Sequence, residues 1–308
     1  MLRKFGLSVF TGAFAMGLAI VALGAPAVFA ETTTGQKPGL LILNHGSPAP
    51  SWSDAIKKLT EKVLALNAET KTFHAVTSAM MEFSQPDAAA GIEALESAGC
   101  DRIIVVPIFV GPTSHSHFDV PAVLGLYSSP DIRKTLEEEN ARIAAPRVPV
   151  TVTQTMNEGE LLDWYVESEV LALSENPKEE AVLIIAHGDE NHGPMIDKIM
   201  CRLLVRACGS SGITAGQVAF CEVGQSYRQN VIPAIRELSE RKERVFVIGV
   251  YLATSAKTLN ERAGAQSANS RTPATNPLDG IDVRFSEKGV IDHPTMPEWI
   301  LNAGSEAL

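Results

Sequence analysis

The stretch IIVVPIFVGPTSHSHFDVP, residues 103–121, is the strongest indication of the fold of this chain. Its first seven residues are apolar or proline, and an unbroken run rich in Ile and Val is typical of a strand buried on both faces of a parallel sheet. A Gly-Pro pair ends the strand, and His115, His117 and Asp119 follow. Ligands of open parallel sheets bind at the carboxyl ends of the strands, and imidazole is the commonest protein ligand for metals. The stretch therefore predicts a catalytic or metal-binding site. The alternative is a polar loop in which the histidines have no such role.

Strand-like and helix-like patterns alternate along the chain, and the series repeats in its second half. GLLILNHG at 39–46 matches AVLIIAHG at 181–188, and RIIVVPIF at 102–109 matches RVFVIGVY at 244–251. Alternation of this kind is typical of a parallel sheet covered by helices. The pattern predicts an α/β fold of two similar domains, each with a parallel sheet flanked by helices.

The periodicity also sets the expected elements and boundaries. A first helix is expected to begin at a Ser51 or Ser53 cap and to end near Asn67. A long helical region is expected from Asp119 to Ala144. The division predicted for the chain is a signal peptide at 1–30, an N-terminal domain at 31–145 that carries the metal site, and a degenerate C-terminal domain at 146–308 with its repeat core from 181.

The N-terminal segment has the features of a secretory signal. Arg3 and Lys4 precede an uncharged apolar or small-residue run at 5–23, and VFA at 28–30 fits a cleavage site. An uncleaved anchor is the alternative, because a membrane span needs roughly 20 apolar residues. The segment predicts export to the periplasm, with no membrane insertion after the signal is removed.

Charge and cysteine content argue against two classes of site. The chain has 26 Lys+Arg and 36 Asp+Glu, a net charge of −10, and loss of the two basic residues in the predicted signal leaves 24 against 36, or −12. An acidic chain without a basic run is not expected to bind nucleic acid. The four cysteines form no CxxC pair, so a thiolate zinc site is not expected.

Three polar residues follow successive predicted strands of the first half. His45 precedes a Gly-Ser turn, Glu82 comes 37 residues later, and His115 comes 33 residues after Glu82. Parallel neighbouring strands would bring these three ends to one edge of the sheet. Two imidazoles and a carboxylate suit a borderline divalent ion such as Co²⁺, Ni²⁺, Fe²⁺ or Zn²⁺. As alternatives, Glu82 orients a histidine without binding metal, or His45 is only a turn residue.

The second half keeps part of this set. His187 and Glu222 are 35 residues apart and correspond to His45 and Glu82. Lys257 occupies the position of the third ligand. We expect one working site in the first half, and the sequence leaves open whether His187, Glu222 and His192 form a second one.

These motifs resemble a known family. NHGS at 44–47, MEFSQP at 81–86 and HSHFDVP at 115–121, in this order and spacing, resemble the class II tetrapyrrole chelatases, in particular the sirohydrochlorin cobaltochelatases of cobalamin biosynthesis in their long, two-half form. The resemblance is strong over residues 38–128 and weak over 181–303. It implies two chelatase-like (flavodoxin-like) domains that face each other across a cleft for a flat, acidic tetrapyrrole.

The resemblance also implies an activity. A divalent metal, Co²⁺ before Fe²⁺ or Ni²⁺, would be inserted into sirohydrochlorin or a related tetrapyrrole without a nucleotide. On this interpretation His45 and His115 are metal ligands and proton acceptors, and Glu82 is a third ligand or proton acceptor; His117 is the weaker candidate, because the family motif falls on His115. Basic residues at the cleft would pair with substrate carboxylates, and the candidates are Lys257, Arg262 and Lys134.

A second hypothesis is a binding protein. Export and the missing third ligand of the second half favour a periplasmic carrier of metal or haem on a chelatase fold. Retention of all three residues in the first half favours the enzyme. Metal identity, the tetrapyrrole and the oligomeric state are not set by the sequence.

Overall fold

The first half of the chain forms a parallel four-stranded sheet. The computed structural model describes residues 35–138, 141–189, 191–221, 226–268 and 276–308, so the predicted signal peptide lies outside the described residues. The strand order is β2-β1-β3-β4, which puts β1 in the interior between β2 and β3. The strands are β1 (Pro38–Asn44), β2 (Ala75–Met80), β3 (Arg102–Pro107) and β4 (Val150–Val152).

The second half repeats this sheet. Its order is β6-β5-β7-β8, again parallel throughout. Because the order and direction of the strands match those of the first sheet, the internal repeat and the predicted fold class are confirmed. The strands are β5 (Glu180–Ala186), β6 (Ala215–Phe220), β7 (Arg244–Val250) and β8 (Asp282–Phe285).

Helices cover both faces of each sheet. Short π-helical turns at His115–Asp119 and Tyr227–Val231 precede two of them. In the described ranges, no helix combines the length and the apolar character needed to cross a bilayer. The helices are α1 (Pro50–Thr70), α2 (Ala88–Ser97), α3 (Val120–Val123), α4 (Pro130–Glu138), α5 (Leu161–Leu173), α6 (Gly193–Ser211), α7 (Ile232–Ser239), α8 (Ala256–Ala268) and α9 (Met296–Ser305).

The alternation of side chains along the strands divides the core into layers. In β1, Leu40 and Ile42 belong to the central core, which also contains side chains of α1, α5, α6 and α9, whereas Leu41 and Leu43 belong to an outer core with side chains of α2 and α3. The second sheet is arranged in the same way, with α7 and α8 on its outer face. The central core contains side chains from both sheets, so the two halves share it.

The last helix of each half packs against the other half. α5 follows β4, but it lies on the second sheet, where the Tyr165 hydroxyl is 2.8 Å from the carbonyl oxygens of Gly249 and Lys288. α9 follows β8 and lies against α1 and β3, with Gly304 in close contact with Leu40 and Phe73. This reciprocal exchange of helices joins the halves through buried contacts.

The domain boundary between 145 and 146 stays a prediction. Residues 36–308 form one compact unit, because α5 and α9 cross between the halves. The four cysteines in it are free thiols.

Two expected helix features are wrong. α1 begins at Pro50 after Ala49, and no side chain caps it, so neither Ser51 nor Ser53 is the cap. The region expected to be helical from Asp119 to Ala144 is interrupted after α3. Gly125 there has φ +72°, and a Cβ on it would lie 2.3 Å from the Ala144 carbonyl oxygen, so the chain turns sharply before α4 begins.

The contact of α9 with the first half gives a stability prediction. In Gly304→Val, a Cβ 2.8 Å from Phe73 and 2.9 Å from Leu40 would overpack a filled interface. We expect the free energy of unfolding to fall by roughly 1–3 kcal/mol in urea titrations.

Gly209→Val is the matched control. Gly209 also lies near the end of a helix, but nothing lies within 4 Å of its Cβ position. We expect a change below about 0.5 kcal/mol there. Equal effects of the two substitutions would contradict the packing of α9 described above.

Candidate metal centre between the two halves

One buried amide fixes the turn that carries the first candidate ligand. Asn44 ends β1 and is fully buried. Its Nδ2 donates to the Ala79 carbonyl oxygen of β2 at 2.9 Å, and its Oδ1 accepts from Gly46 N at 3.1 Å and from Trp52 Nε1 of α1 at 2.8 Å. The amide therefore ties β1, β2, the turn and α1 together around His45.

Backbone pairing continues past the strands and places Glu82 beside His45. Met81 N donates to the Asn44 carbonyl oxygen at 2.8 Å, and Glu82 N donates to that of His45 at 2.9 Å. Gly46 has φ +92°, and a Cβ on it would lie 2.0 Å from the Glu82 carbonyl oxygen. Only glycine fits this close approach.

The structure brings His45, Glu82 and His115 together at the carboxyl edge of the first sheet. His45 Nε2 lies 4.0 Å from Glu82 Oε2, and the two imidazole rings lie 4.6 Å apart, centroid to centroid, at 78°. One ligand atom from each residue lies within 4.8 Å of the other two. Glu82 is 9 % exposed, against 31 % for His45 and 42 % for His115, so an ion could be reached from solvent past the histidines.

Neighbouring acceptors orient both histidines. His115 Nδ1 donates to Asp119 Oδ2 at 2.8 Å, one helical turn later, and His45 Nδ1 donates to the Gly46 carbonyl oxygen at 3.1 Å. With these assignments, Nε2 of each ring is the nitrogen that would bind a metal. This arrangement is usual where a carboxylate or carbonyl accepts a hydrogen bond from the other nitrogen.

The surroundings of His45 favour a neutral ring. Burial lowers the pKa of His45 below its ordinary value, and the neighbouring His115 and His187 lower the pKa further. The Gly46 carbonyl and Glu82 oppose this shift but do not reverse it. A neutral imidazole has the lone pair that a metal ion or a proton requires.

A cavity of about 450 Å³ lies in front of the three residues, within the usual range for ligand pockets. Its walls come from both halves and include His45, His115 and, from the second half, His187. His187 Nδ1 lies against the Gly188 carbonyl oxygen, as His45 Nδ1 lies against that of Gly46. Its predicted partner, Glu222, lies outside the described residues.

The three basic residues predicted to pair with substrate carboxylates lie in different surroundings. Lys257 Nζ pairs with Glu287 Oε1 at 2.6 Å, and Lys257 is not among the described residues that line the cavity. Lys134 pairs with Glu138 on the exposed surface of α4. Arg262, on α8, lines the cavity.

His117 and His192 join the two halves beside the cavity. Their rings stack at 4.9 Å and 10°. Asp189 accepts from the His192 ring at 3.1 Å and from Ser114 N at 3.2 Å, and Asn191 donates to the Ser114 hydroxyl at 3.0 Å. Burial raises the pKa of Asp189, but these hydrogen bonds outweigh it and hold the pKa below its usual range. The structure therefore places His117 in a contact between the halves, apart from the three candidate ligands.

Several residues that support the site are not predicted by the sequence pattern. Asn44 had a signal, because it is a polar residue at the end of an otherwise apolar strand. Trp52 and Phe83 had none, since their roles depend on the turn that Asn44 fixes. Phe83 is 65 % exposed and its ring lies 5.8 Å from that of His45.

Parts of the chain are similar in sequence to known proteins. Residues 39–170 match the model of the CbiX family. The chain is 33% identical over 92 residues to a sirohydrochlorin cobaltochelatase of Methanococcus maripaludis, covering 30% of this chain and 61% of that protein. It is 26% identical over 118 residues to the sirohydrochlorin cobaltochelatase of Saccharolobus solfataricus, covering 38% of this chain and 81% of that protein. The chain thus spans about three fifths of the length of the methanogen relative.

Solved structures extend the similarity to both halves. SirB from Bacillus subtilis with Fe³⁺ superposes with a TM-score of 0.60 at 15% identity, covering 87% of this chain and 94% of that one. DR2241 from Deinococcus radiodurans, described as having structural similarity to chelatases, has a TM-score of 0.58 at 15% identity, covering 88% of this chain and 55% of that one. At this identity the likeness shows a shared fold.

The contact between His115 and Asp119 gives a prediction for metal binding. We expect Asp119→Asn to weaken Co²⁺ binding by roughly 10- to 100-fold, because an amide oxygen is a weaker acceptor than a carboxylate, and the amide NH₂ can donate to Nδ1 and so favour the tautomer with the proton on Nε2. Titration against a competing chelator measures the loss.

Asp131→Asn is the control for this substitution, since Asp131 is an exposed residue of α4. It should leave the affinity unchanged. Unchanged affinity in Asp119→Asn as well would contradict the orienting role of Asp119.

Proposed function

We propose that this protein inserts a divalent metal ion into sirohydrochlorin or a related tetrapyrrole without using a nucleotide. The observation that carries the proposal is the cluster of His45, Glu82 and His115, with ligand atoms within 4.8 Å of one another at a cavity shared by both halves. The named cobaltochelatase relatives and the chelatase fold of the structural neighbours support a metal chelatase.

The reaction needs a held metal ion and bases. Two pyrrole N–H bonds break, two protons leave, and the metal forms bonds to the ring nitrogens with no change in oxidation state. His45, Glu82 and His115 would hold the incoming ion until the macrocycle nitrogens replace them. An imidazole Nε2 cannot bind the ion and a proton together, so each histidine serves first as ligand and then as proton acceptor.

His187 supplies a base on the opposite wall. Since its Nδ1 is engaged by the Gly188 carbonyl, its Nε2 is the nitrogen left to act in the cavity. A macrocycle between the walls would receive the metal on the side of His45 and His115. It would lose one proton to His187, and the second to His45 or His115 once the ion has left that histidine. This division separates the ion from the first departing proton.

Co²⁺ is the first metal we propose, with Fe²⁺ or Ni²⁺ as alternatives. Two imidazoles and one carboxylate bind each of these ions, so the ligands alone do not choose between them. The curated relatives are named for cobalt, and SirB structures hold Fe³⁺ or cobalt.

The second candidate function is a periplasmic carrier of metal or haem. It is favoured by the predicted signal peptide at 1–30, for which we propose export and cleavage. It is also favoured by Lys257, which stands where the second half would need a third ligand and is paired with Glu287. A carrier would bind metal or haem without turnover.

An absorbance time course distinguishes the two functions. Residues 31–308 are mixed with sirohydrochlorin and Co²⁺ without oxygen. We expect the protein to accelerate metalation at least about a hundredfold over the spontaneous rate, the lower end of the range that positioned acid–base groups provide. The double variant His45→Ala, His115→Ala should lose this acceleration.

His74→Ala is the control, because His74 is an exposed histidine that contacts the Ala98 carbonyl, away from the cluster. It should react like the unaltered protein. A spontaneous rate with the unaltered protein, together with stoichiometric binding of metal or haem, would make the protein a carrier.

His187→Ala tests the opposite wall. We expect the metalation rate to fall by roughly tenfold or more, since a positioned base is lost, while Co²⁺ affinity stays within about twofold because the three ligands remain. Stopped-flow rates and chelator competition measure the two quantities. A parallel loss of Co²⁺ affinity would identify His187 as a ligand, and an unchanged rate would remove it from the mechanism.

A further inference from the structure

The second half of the chain contacts the turn that carries His115. Asp189 Oδ2 accepts a hydrogen bond from Ser114 N at 3.2 Å, and Asn191 Nδ2 donates to the Ser114 hydroxyl at 3.0 Å. Ser114 is the residue directly before His115, at the start of the π-helical turn 115–119. Both the backbone and the side chain of the residue before this ligand are therefore bound by the second half.

A ring contact reaches the same turn on the other side of His115. The ring of His192, from the second half, stacks on that of His117. His117 N and Nδ1 each lie 3.1 Å from the Thr113 carbonyl oxygen, so the segment 113–117 is closed by its own hydrogen bonds. His115 thus lies between two residues, Ser114 and His117, that both contact the second half.

The internal repeat shows what is particular to Asp189. This residue occupies the position that Ser47 has in the first half. The Ser47 hydroxyl accepts from Ala49 N at 3.2 Å, and Asp189 Oδ1 accepts from Asn191 N at 2.9 Å, so both side chains form the same local turn. A carboxylate has a second oxygen that serine lacks. In Asp189 that second oxygen is the one that binds Ser114.

The carboxylate of Asp189 is held in place by its own half. Oδ1 also accepts from His192 N at 2.8 Å and from the His192 ring. The side chain is 13 % exposed, so little water competes for these bonds. Burial raises the pKa of Asp189, but its hydrogen bonds outweigh this effect and keep the group ionised. An ionised acceptor forms stronger hydrogen bonds than a neutral one, and it is fixed here before it reaches Ser114.

His115 depends on this turn more than the other two candidate ligands do. His45 and Glu82 lie where backbone pairing continues past the strands of the first sheet. Asp119 orients the ring of His115, but it belongs to the same turn and moves with it. A functional side chain must be held within about 0.5 Å of its working position. Contacts that fix the turn against the rest of the protein therefore matter for the ligand set.

We infer that Asp189 and Asn191 are positioning residues of the metal centre. From the second half, they fix Ser114 and so place His115 opposite His45 and Glu82. The second half then contributes to the metal centre without supplying a ligand. This inference rests on the proposed function, in which the three residues of the first half hold the ion.

Asp189→Asn tests the inference with almost no change in shape. Its amide oxygen can keep the local turn, while its NH₂ group faces Ser114 N, and two donors cannot bond. We expect Co²⁺ affinity to fall by roughly tenfold or more, as for lost partners of metal ligands. Hydrogen exchange of the segment 113–119 should become faster in the metal-free protein. Competition with a chelator and mass spectrometry measure the two quantities.

Asp131→Asn is the matched control, because it makes the same chemical change on the exposed surface of α4. It should alter neither quantity. The visible absorption spectrum at saturating Co²⁺ separates positioning from a general loss of stability. In Asp189→Asn the absorption per bound ion should weaken, because water takes the coordination position of a displaced imidazole. Loss of stability alone would leave the spectrum of each bound ion unchanged.

A second pair of variants removes the other bond without bringing two donors together. Ser114→Ala and Asn191→Ala each delete the hydrogen bond between these side chains. Each should weaken Co²⁺ binding by roughly two- to fivefold. The double variant should bind no more weakly than either single variant, because both changes delete the same bond. Additive losses would contradict a shared role of the two residues.

The outcomes separate this inference from the proposed function. If the unaltered protein binds Co²⁺ and Asp189→Asn binds it with the same affinity and spectrum, the inference is wrong and the proposed function stands. A weaker affinity with unchanged hydrogen exchange of 113–119 would also overturn the inference, since the turn would not have moved. If the unaltered protein neither binds Co²⁺ nor metalates sirohydrochlorin, both fail.

Discussion

The candidate site depends on one buried side-chain amide. Asn44 is an unusual residue for the end of a strand in the middle of a sheet, because a polar group there must find partners without water. It finds them in β2, in the turn after β1 and in the indole of α1. Each of these partners positions a part of the site, so the amide sets the distance between the first sheet and the ligands at its edge. An apolar residue of the same size would fill the space but would leave the turn without its hydrogen bonds.

The parts of the fold that the sequence predicts are those governed by local pattern. Two parallel sheets are predicted by the continuous apolar strands, such as β1 and β3, and by the repeat between the halves. Parallel strands bring their carboxyl ends together. The proximity of His45, Glu82 and His115 follows from that rule, although their role as ligands stays a prediction. The contacts of Asn44 and Phe83 depend on a turn whose geometry the pattern does not contain.

Other features depend on tertiary contacts and could not be read from periodicity. The apolar residues of α5 and α9 show that each helix is partly buried, but not which sheet it covers, so the sequence does not predict the exchange. The break at Gly125 follows from its close approach to Ala144, a contact between distant parts of the sequence. Counting along the repeat predicts a cleft position for Lys257, whereas the structure places Arg262, another residue of α8, in the lining of the cavity.

The exchange of α5 and α9 limits how the cleft can open. A wide hinge motion would pull each helix off the sheet it covers and expose the faces that carry Tyr165 and Ile300. Sliding of packed helices by small amounts keeps those faces buried, and it is the motion that closely packed interfaces permit. Because both walls belong to one chain, their effective concentration is fixed by the fold and does not change on dilution. The two walls therefore form a preformed cleft for a planar ligand. Entry of the ligand depends on shear between the halves and not on their association.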